Sequence, residues 1–392
     1  MTPAARVQAA IEILDEVIAA ARDDGPPADA IVQRYFKTRR YAGSKDRRAV
    51  RELVFRAIRH SGERPDSGRS AMVGLADKDS DVAGQFDGSP HGPSPRAPGE
   101  AGASASLVPN WLTARLSDLV NPDEWQALLE RAPLDLRINP ARTTREAMLT
   151  AFEGAEPTRL SPWGLRLVPD TKIGEHPAFI DGLVEVQDEG SQLIALACQP
   201  ASGMRILDLC AGAGGKSLAV AAAAPNAEII ASDTNRARLA QLPLRAERAG
   251  ATIISRLIDG GRELQQLADL EGQCDLVLVD APCSGSGTWR RNPEGRWRLT
   301  PERLDRLIKL QARLLDIAAP MVKPGGALVY ATCSVIRAEG ADQARNFLGR
   351  HSSWMVQDAS FDGGRADGPG RLLTPAHDAT DGFFVARFAK PC

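Results

Sequence analysis

The sequence predicts a doubly wound α/β domain over residues 186–392, preceded by a helical domain over residues 1–130 and a small α+β domain over residues 131–185. Two observations support this prediction. From residue 186 onward, short aliphatic runs alternate with segments of helical spacing, which is typical of a parallel sheet covered by helices on both faces. Before residue 130, apolar residues recur three and four positions apart, as in amphipathic helices.

Length and composition agree with a globular chain of several domains. The 392 residues exceed what one hydrophobic core usually supports, and 43% hydrophobic and 25% charged residues exclude a disordered or fibrous protein. No apolar run approaches the roughly 20 residues that a bilayer-spanning helix needs, and the first residues lack the pattern of a secretory signal. These features predict a cytoplasmic protein that does not contact a membrane. Six cysteines without a CxxC pair predict reduced thiols and no metal site.

The helical region combines basic helices with a polar segment. Residues 31–64 hold eleven Lys and Arg against three acids, a balance that suits either phosphate contact or a solvated helix face. Thirteen of the 23 residues over 84–106 are Gly, Pro or Ser. Because such a composition offers little apolar surface to offset chain entropy, residues 62–105 are expected to form a flexible segment.

The α/β domain follows from six aliphatic runs and the helices between them. The predicted strands are residues 206–209, 229–233, 253–258, 275–280, 327–331 and 383–388, and the predicted helices are residues 215–224, 235–249 and 301–322. In doubly wound sheets, ligands bind beyond the carboxyl ends of the strands. Residues that directly follow these strands are therefore the candidate site residues.

A glycine-rich turn follows the first of these strands. It consists of Cys210, Ala211, Gly212, Ala213, Gly214, Gly215 and Lys216, and a predicted helix comes next. Glycines let the backbone approach a ligand closely, and a helix start offers unpaired N–H groups. Asp233 ends the second strand, where a carboxylate suits ribose hydroxyls, and Asp259 follows the third strand, within reach of an adenine edge. Together these features predict a nucleoside cofactor.

Two other kinds of nucleotide site share part of this pattern. Gly215, Lys216 and Ser217 resemble the end of a phosphate-binding P-loop, but the P-loop glycine five positions before Gly215 is replaced by Cys210. A dinucleotide site would need a third glycine where Ser217 stands. Both motifs are therefore incomplete.

Two cysteines follow neighbouring strands of the predicted sheet. Cys283 comes shortly after Asp280, which ends the fourth strand, and Cys333 comes after the fifth. Because neighbouring strands lie about 4.8 Å apart, both thiols can open into one pocket beside the cofactor. The alternative is that each thiol is a small buried hydrophobe, which suits Cys198 and Cys274 better.

Arginines and tryptophans alternate shortly after Cys283. The residues concerned are Arg290, Arg291, Arg296, Trp297 and Arg298. Such a composition suits base stacking and phosphate contact in single-stranded RNA, or else a surface loop packed by its tryptophans. The position beside a reactive thiol favours contact with RNA.

These motifs resemble the Nop/Sun family of RNA cytosine-5 methyltransferases. The resemblance rests on the turn over residues 208–216, on residues 280–287 and on Thr332, Cys333 and Ser334, and it covers residues 186–392. Residues 137–140 resemble the small domain that precedes the catalytic domain in this family. Residues 41–50 resemble the NusB-like RNA-binding domain of the bacterial branch that acts on the small ribosomal subunit.

The resemblance implies both a fold and a chemistry. The expected fold is a class I, Rossmann-like methyltransferase domain of seven strands, with S-adenosylmethionine as cofactor. The expected reaction transfers a methyl group to carbon 5 of a cytosine in RNA, with 16S ribosomal RNA as the expected substrate. The family implies that Cys333 attacks carbon 6 of the base, that Cys283 assists product release and that Asp280 holds the N3 and amino edge.

Some alternatives stay open at this point. Spacing alone does not decide which cysteine attacks, because DNA cytosine-5 methyltransferases use a nucleophile in a setting like Pro282 and Cys283. A tRNA substrate is possible, as is a catalytically silent RNA-binding assembly factor. A monomer is expected.

Overall fold

A computed structural model describes residues 1–392, which fold into two compact units. The helical unit comprises Met1–Leu116, Trp125–Glu130 and Thr288–Arg303, and the second unit comprises Ser117–Glu124, Arg131–Gly287 and Leu304–Cys392. No helix combines the length and the apolar character required to cross a bilayer.

Helices account for the regular structure of the first 125 residues. Their bounds are α1 (Pro3–Arg22), α2 (Ala28–Lys37), α3 (Ser44–His60), α4 (Gly68–Ala76), α5 (Ser80–Ala83), α6 (Asn110–Thr113) and α7 (Pro122–Trp125). Helix α1 begins where the Thr2 hydroxyl accepts the Ala5 N–H at 3.2 Å, with a proline in its first turn. Its apolar stripe is buried, as the sequence predicts.

The expectation of a flexible segment over residues 62–105 is wrong for its first part. Helix α4 lies there with Met72 and Val73 fully buried, and an added Cβ at Gly68 would stand 2.1 Å from the Ile11 carbonyl oxygen. The glycine thus allows α4 to approach α1 closely. The prediction was drawn from the composition of residues 84–106, which indeed contain no helix or strand. It was wrongly extended to the short apolar helix that precedes them.

A small antiparallel sheet opens the second unit and confirms the predicted α+β character of residues 131–185. Its strands are β1 (Leu134–Ile138), β2 (Glu156–Pro157), β3 (Gly164–Leu167) and β4 (Val184–Val186), in the order β2-β3-β1-β4. Helices α8 (Arg145–Ala151) and α9 (Pro177–Ile180) accompany it. Leu136, Leu165 and Val184 form part of the core of this region.

The second sheet has nine strands. They are β5 (Arg205–Asp208), β6 (Glu228–Asp233), β7 (Ile254–Leu257), β8 (Cys274–Asp280), β9 (Val322–Thr332), β10 (Met355–Gln357), β11 (Arg365–Asp367), β12 (Gly370–Leu373) and β13 (Phe383–Ala389). The order is β11-β12-β13-β9-β8-β5-β6-β7, with β10 also paired to β13. Strands β5 to β9 are parallel, and β13 joins β9 in the antiparallel sense.

The predicted doubly wound fold is therefore confirmed, with more strands than the seven expected. Strands β10 to β12, which match none of the six predicted aliphatic runs, are only three or four residues long. The helices of this part of the chain are α10 (Glu189–Ala197), α11 (Gly215–Ala223), α12 (Arg236–Leu239), α13 (Leu242–Ala249), α14 (Glu263–Gln266), α15 (Gly295–Arg298), α16 (Pro301–Met321), α17 (Ala341–Arg350) and α18 (Pro375–Asp378).

Helix α15 departs from the predicted domain boundaries. It lies in Thr288–Arg303, which belongs to the helical unit although it falls inside the predicted domain over residues 186–392. Trp297 joins the hydrophobic core that α1 to α4 build. A boundary drawn along the sequence cannot represent a segment that leaves one unit and packs in another.

Candidate active site

Four strand ends form the edge on which the site is built. Strands β5, β6 and β8 end at Asp208, Asp233 and Asp280, and β9 ends at Thr332. Because these strands are parallel neighbours, their carboxyl ends share one edge of the sheet. The Asp280 and Ala331 positions are paired directly, which brings the loops after β8 and β9 together.

The glycine-rich turn after β5 adopts backbone conformations that favour glycine. Gly212 and Gly214 have φ values of +56° and +83°. An added Cβ at Gly214 would stand 2.1 Å from Leu242 Cδ1. Gly214 also caps α11 without a side-chain acceptor, so the first-turn N–H groups of this helix face the turn uncapped by a side chain. This arrangement can bind an anionic or polar ligand group.

Asp233 holds this turn from the end of the next strand. One carboxylate oxygen accepts the Gly212 N–H at 2.7 Å and the other accepts the Asn235 N–H at 2.6 Å. Each carboxylate oxygen retains a further lone pair, which suits the ribose hydroxyls that the sequence assigned to Asp233.

Asp259 lies beyond β7, next to the same edge. The Ile258 N–H donates to the Asp233 carbonyl at 3.1 Å, which places this stretch beside the end of β6. The exposed Asp259 carboxylate accepts from Gln266 Nε2 at 3.1 Å. Its contact with an adenine edge stays a prediction.

Asp208 is a site residue that the sequence analysis did not single out. It is 2% exposed, and its Oδ2 accepts the Ser217 hydroxyl at 2.6 Å, while Oδ1 has no hydrogen-bond partner. Burial raises the pKa of Asp208 to about 7. Burial also raises the pKa of the adjacent Cys210 thiol. The only available signal was the position of Asp208 at the strand end before the turn.

Lys216 and Asp280 form an ion pair at the centre of the edge. Lys216 Nζ lies 2.6 Å from Asp280 Oδ2 and 5.4 Å from the centroid of the Phe383 ring. Burial by itself would lower the pKa of Lys216, but the charge and the hydrogen bond of Asp280, together with further nearby acidic groups, outweigh it and raise that pKa. Lys216, predicted only as part of the cofactor turn, therefore also orients the Asp280 carboxyl group.

The two predicted cysteines meet. Cys283 Sγ lies 3.3 Å from Cys333 Sγ, and both residues are partly exposed. The hydrogen bond to Cys333, followed by burial, raises the pKa of Cys283 well above its usual range. The Gly287 N–H donates to the Cys333 carbonyl at 3.1 Å and thereby ties the two loops together. The pair thus combines a thiol that keeps its proton with a second sulfur in direct contact.

The arginine and tryptophan segment occupies a different environment from the one expected. Arg296 and Trp297 are 1% and 2% exposed within the helical unit. Arg296 donates to the carbonyls of residues Ile58, Leu107 and Pro293, and burial lowers its pKa to about 9. Trp297 Nε1 donates to the Ser61 carbonyl at 2.8 Å. Buried side chains with these partners cannot stack on RNA bases, so both assignments are corrected to structural roles.

The remaining three residues of that segment differ in exposure. Arg298 donates to the carbonyls of Ala20, Gly25 and Pro26, which occupy its guanidinium. Arg290 is 8% exposed, whereas Arg291 is partly exposed. Contact of Arg291 with RNA stays a prediction.

The groups at the sheet edge fit a nucleoside cofactor with a polar tail. The start of α11 has no side-chain cap on its first-turn N–H groups, the buried Asp208 Oδ1 lacks a partner, and Asp233 presents acceptors. A doubly wound sheet with these groups defines a class I, S-adenosylmethionine-dependent methyltransferase. Asp233, Asp208 and the turn over residues 210–216 would hold the cofactor.

Comparisons with known proteins identify the particular family. The family model described as 16S rRNA methyltransferase RsmB/F matches residues 195–389. The chain is 37% identical over 292 residues to ribosomal RNA small subunit methyltransferase B of Salmonella paratyphi B, which covers 72% of this chain and 66% of that protein. A relative of the same name from Salmonella typhi matches to the same extent. The chain thus spans slightly less than two thirds of the length of these relatives.

Solved structures support the fold. The protein PH0851 matches with a TM-score of 0.75 and 22% identity over 98% of this chain and 99% of that one. NSun6 from Pyrococcus horikoshii, solved with the S-adenosylmethionine analogue SFG, matches with a TM-score of 0.63 and 20% identity over 72% of this chain and 98% of that one. Residues 195–389 therefore form a methyltransferase domain of the RsmB/F family, the bacterial branch of the Nop/Sun family, and its cofactor is S-adenosylmethionine.

Proposed function

We propose that the protein methylates carbon 5 of a cytosine in RNA, with 16S ribosomal RNA as substrate. The observation that carries this proposal is the 3.3 Å separation of the Cys283 and Cys333 sulfur atoms beside the ion pair of Lys216 and Asp280. A plain methyl transfer to nitrogen or oxygen needs no thiol. A pair of thiols suits a reaction in which one sulfur adds to the substrate and must later be expelled.

Cys333 is the proposed nucleophile. Carbon 5 of cytosine is too weak a nucleophile to be methylated directly, so the Cys333 thiolate adds to carbon 6, forming an S–C6 bond, while N3 takes up a proton. The raised pKa of Cys283 supports this assignment, because a thiol that keeps its proton is a poor nucleophile. Asp280, held by Lys216, accepts hydrogen bonds from the N3 and amino edge of the base.

The second half of the reaction restores the enzyme. When bound, S-adenosylmethionine would supply an electrophilic methyl group to carbon 5 and leave as S-adenosylhomocysteine. Removal of the carbon 5 proton then re-forms the C5–C6 double bond and breaks the S–C6 bond, which returns the thiolate to Cys333, and N3 releases its proton. Cys283 assists this release from its position 3.3 Å away.

The base must leave its stack before a sulfur can add to carbon 6, so the substrate is a loop or an extruded nucleotide rather than an intact duplex. Reduced thiols at the site suit a reducing compartment, and we place the activity in the cytoplasm, on a monomer. Arg291 is the proposed RNA contact outside the sheet edge.

Methyl transfer from labelled S-adenosylmethionine, mapped by bisulfite sequencing, tests this proposal. Unmodified 16S rRNA and a tRNA pool serve as parallel substrates for the full chain. We expect label in one 16S cytosine, with the Cys333→Ala variant inactive and a Cys392→Ser control active, since Cys392 is an exposed thiol outside the site. Label in tRNA alone would overturn the substrate assignment. Binding of 16S rRNA without any transfer would support a silent assembly factor instead.

A further inference from the structure

Glu339 is a fully buried carboxylate that no part of the proposed reaction uses. It is 0% exposed and lies in a 3-10 turn over Arg337–Glu339, shortly after β9. Burying a charged group is unfavourable unless hydrogen bonds compensate for the missing hydration. The hydrogen-bond partners of Glu339 therefore indicate why a carboxylate occupies this position.

Those partners are the residues that directly follow the two cysteines. Glu339 Oε1 accepts the Ser284 N–H at 2.8 Å, and Oε2 accepts the Ser334 hydroxyl at 2.6 Å. The Ser284 hydroxyl also donates to Oε2. One carboxylate thus binds the loop of Cys283 and the loop of Cys333 at equivalent positions.

Further contacts fix the carboxylate itself. Gln311 of α16 donates to Oε1 at 2.9 Å, and its amide also donates to the Pro282 carbonyl at 2.9 Å. The Tyr330 hydroxyl donates to the Glu339 main-chain carbonyl at 2.7 Å. Because side chain and main chain are both held, Glu339 is a rigid anchor rather than a mobile acid.

We propose that Glu339 is a positioning residue that fixes the two cysteine loops in register, so that Cys283 Sγ and Cys333 Sγ meet over the substrate pyrimidine. This inference rests on the proposed function for its catalytic meaning. Its geometric content, the meeting of the sulfur atoms, does not depend on the substrate. Glu339 touches neither sulfur and acts through Ser284 and Ser334.

Electrostatics gives Glu339 a second effect in the same direction. After the hydrogen bond to Cys333, burial and the Cys333 charge, the negative charge of Glu339 further raises the pKa of Cys283. The anchor therefore favours the protonated form of the cysteine assigned to product release.

The register of the sulfur atoms can be measured without RNA. In a glutathione redox buffer, oxidised glutathione takes two protons and two electrons from Cys283 and Cys333 and leaves a disulfide between them. The fraction of chains that carry this disulfide gives the effective concentration of Cys283 for Cys333. Mass spectrometry after acid quenching gives this fraction. A Cys392→Ser background removes the exposed thiol, and Glu263→Gln is the matched control, because Glu263 is 3% exposed but touches neither cysteine loop.

Two variants of Glu339 test the proposal. Glu339→Gln keeps the length of the side chain but replaces one acceptor oxygen by a donor. The Ser334 hydroxyl, which already accepts the Ile336 N–H, can then no longer donate to this position and must reorient. We expect the effective concentration to fall roughly threefold or more in Glu339→Gln and roughly tenfold or more in Glu339→Ala, with the control unchanged. If Glu339→Ala does not fold, Glu339→Gln alone decides. Wild-type effective concentration in folded Glu339→Gln would overturn the proposal.

Kinetics separates positioning from general stability. In Glu339→Gln we expect kcat for methyl transfer to fall while KM for RNA stays within about twofold, because the base and phosphate contacts are untouched. A merely structural residue would lower activity only in proportion to the folded fraction. Because the glutathione measurement contains no RNA, its result can be interpreted even if the protein does not methylate RNA.

Discussion

The cysteine loops and the arginine and tryptophan segment stand close together in the sequence but differ in what their side chains do. Cys283 and Cys333 are partly exposed and lie 3.3 Å apart at the end of a parallel sheet. Arg296 and Trp297, a few residues after Cys283, are buried and bonded to main-chain carbonyls of the helical unit. A residue's place relative to a strand end therefore predicts function better than the composition of its neighbourhood.

The largest effect on methyl transfer is expected at the sheet edge. Asp280→Asn removes the charge that pairs with Lys216 and replaces one of the two acceptor oxygens that face the base by a donor, while the isosteric amide keeps the packing. We expect kcat for methyl transfer to fall roughly 100-fold, as is usual when an acid or base partner is removed. Radiolabel transfer measures the effect, and unchanged thermal unfolding is the control. A fall of less than threefold would contradict the role of Asp280.

The next effect lies in the helical unit and concerns stability instead of chemistry. Trp297→Ala empties a fully buried site and leaves the Ser61 carbonyl without its donor. We expect the free energy of unfolding of the helical unit to decrease by about 3–5 kcal/mol, measured by urea denaturation. If Trp297 instead contacted RNA, stability would hardly change and RNA affinity would fall at temperatures where the variant is folded.

A pH measurement tests the cofactor turn separately from the cysteine loops and from the arginine and tryptophan segment. The pKa of Asp208 is raised from 3.8 to about 7, so the native protein keeps a proton that the unfolded chain has released. The free energy of unfolding should therefore decrease as pH rises from about 4 to 7, by at most about 1.4 kcal/mol per pH unit for one group. Asp208→Asn should flatten this part of the pH profile of urea midpoints in the ligand-free protein. An unchanged slope would mean that Asp208 is ionised in the native state.

The smallest effect is expected for Arg291→Ala. Because this substitution removes one cation of the proposed RNA contact, it should weaken RNA binding roughly threefold and reduce the slope of log affinity against log salt by about one. Filter binding at several salt concentrations measures both quantities. An unchanged salt slope would show that Arg291 does not contact RNA phosphates.

The sequence was sufficient where local signals and topology agree. Aliphatic runs set the parallel strands, and the turn at Gly212 and Gly214 followed from glycines at the end of β5. Parallel topology then brought Cys283 and Cys333 together, because their strands are neighbours.

The sequence failed where burial depends on distant partners. Helix α4 is short, and its burial depends on the approach of Gly68 to Ile11 rather than on its own composition. Glu339 stands six residues after Cys333 without a visible motif, and only the folded chain shows that its partners are Ser284 and Ser334. The sequence suggested an RNA contact for Arg296, but the partners of Arg296 are main-chain carbonyls. A pattern of side chains does not predict which main-chain atoms will lie beside it.

The chemistry proposed for this site requires that one sulfur attacks a pyrimidine that the other helps to release. The most direct measurement is denaturing electrophoresis of Cys283→Ala with 16S rRNA and S-adenosylmethionine, followed by mass spectrometry of the attached peptide. We predict a denaturation-resistant protein–RNA adduct on Cys333, absent from Cys333→Ala. An adduct on Cys283 in the Cys333→Ala variant, or no adduct in Cys283→Ala while the wild type methylates RNA, would contradict this mechanism.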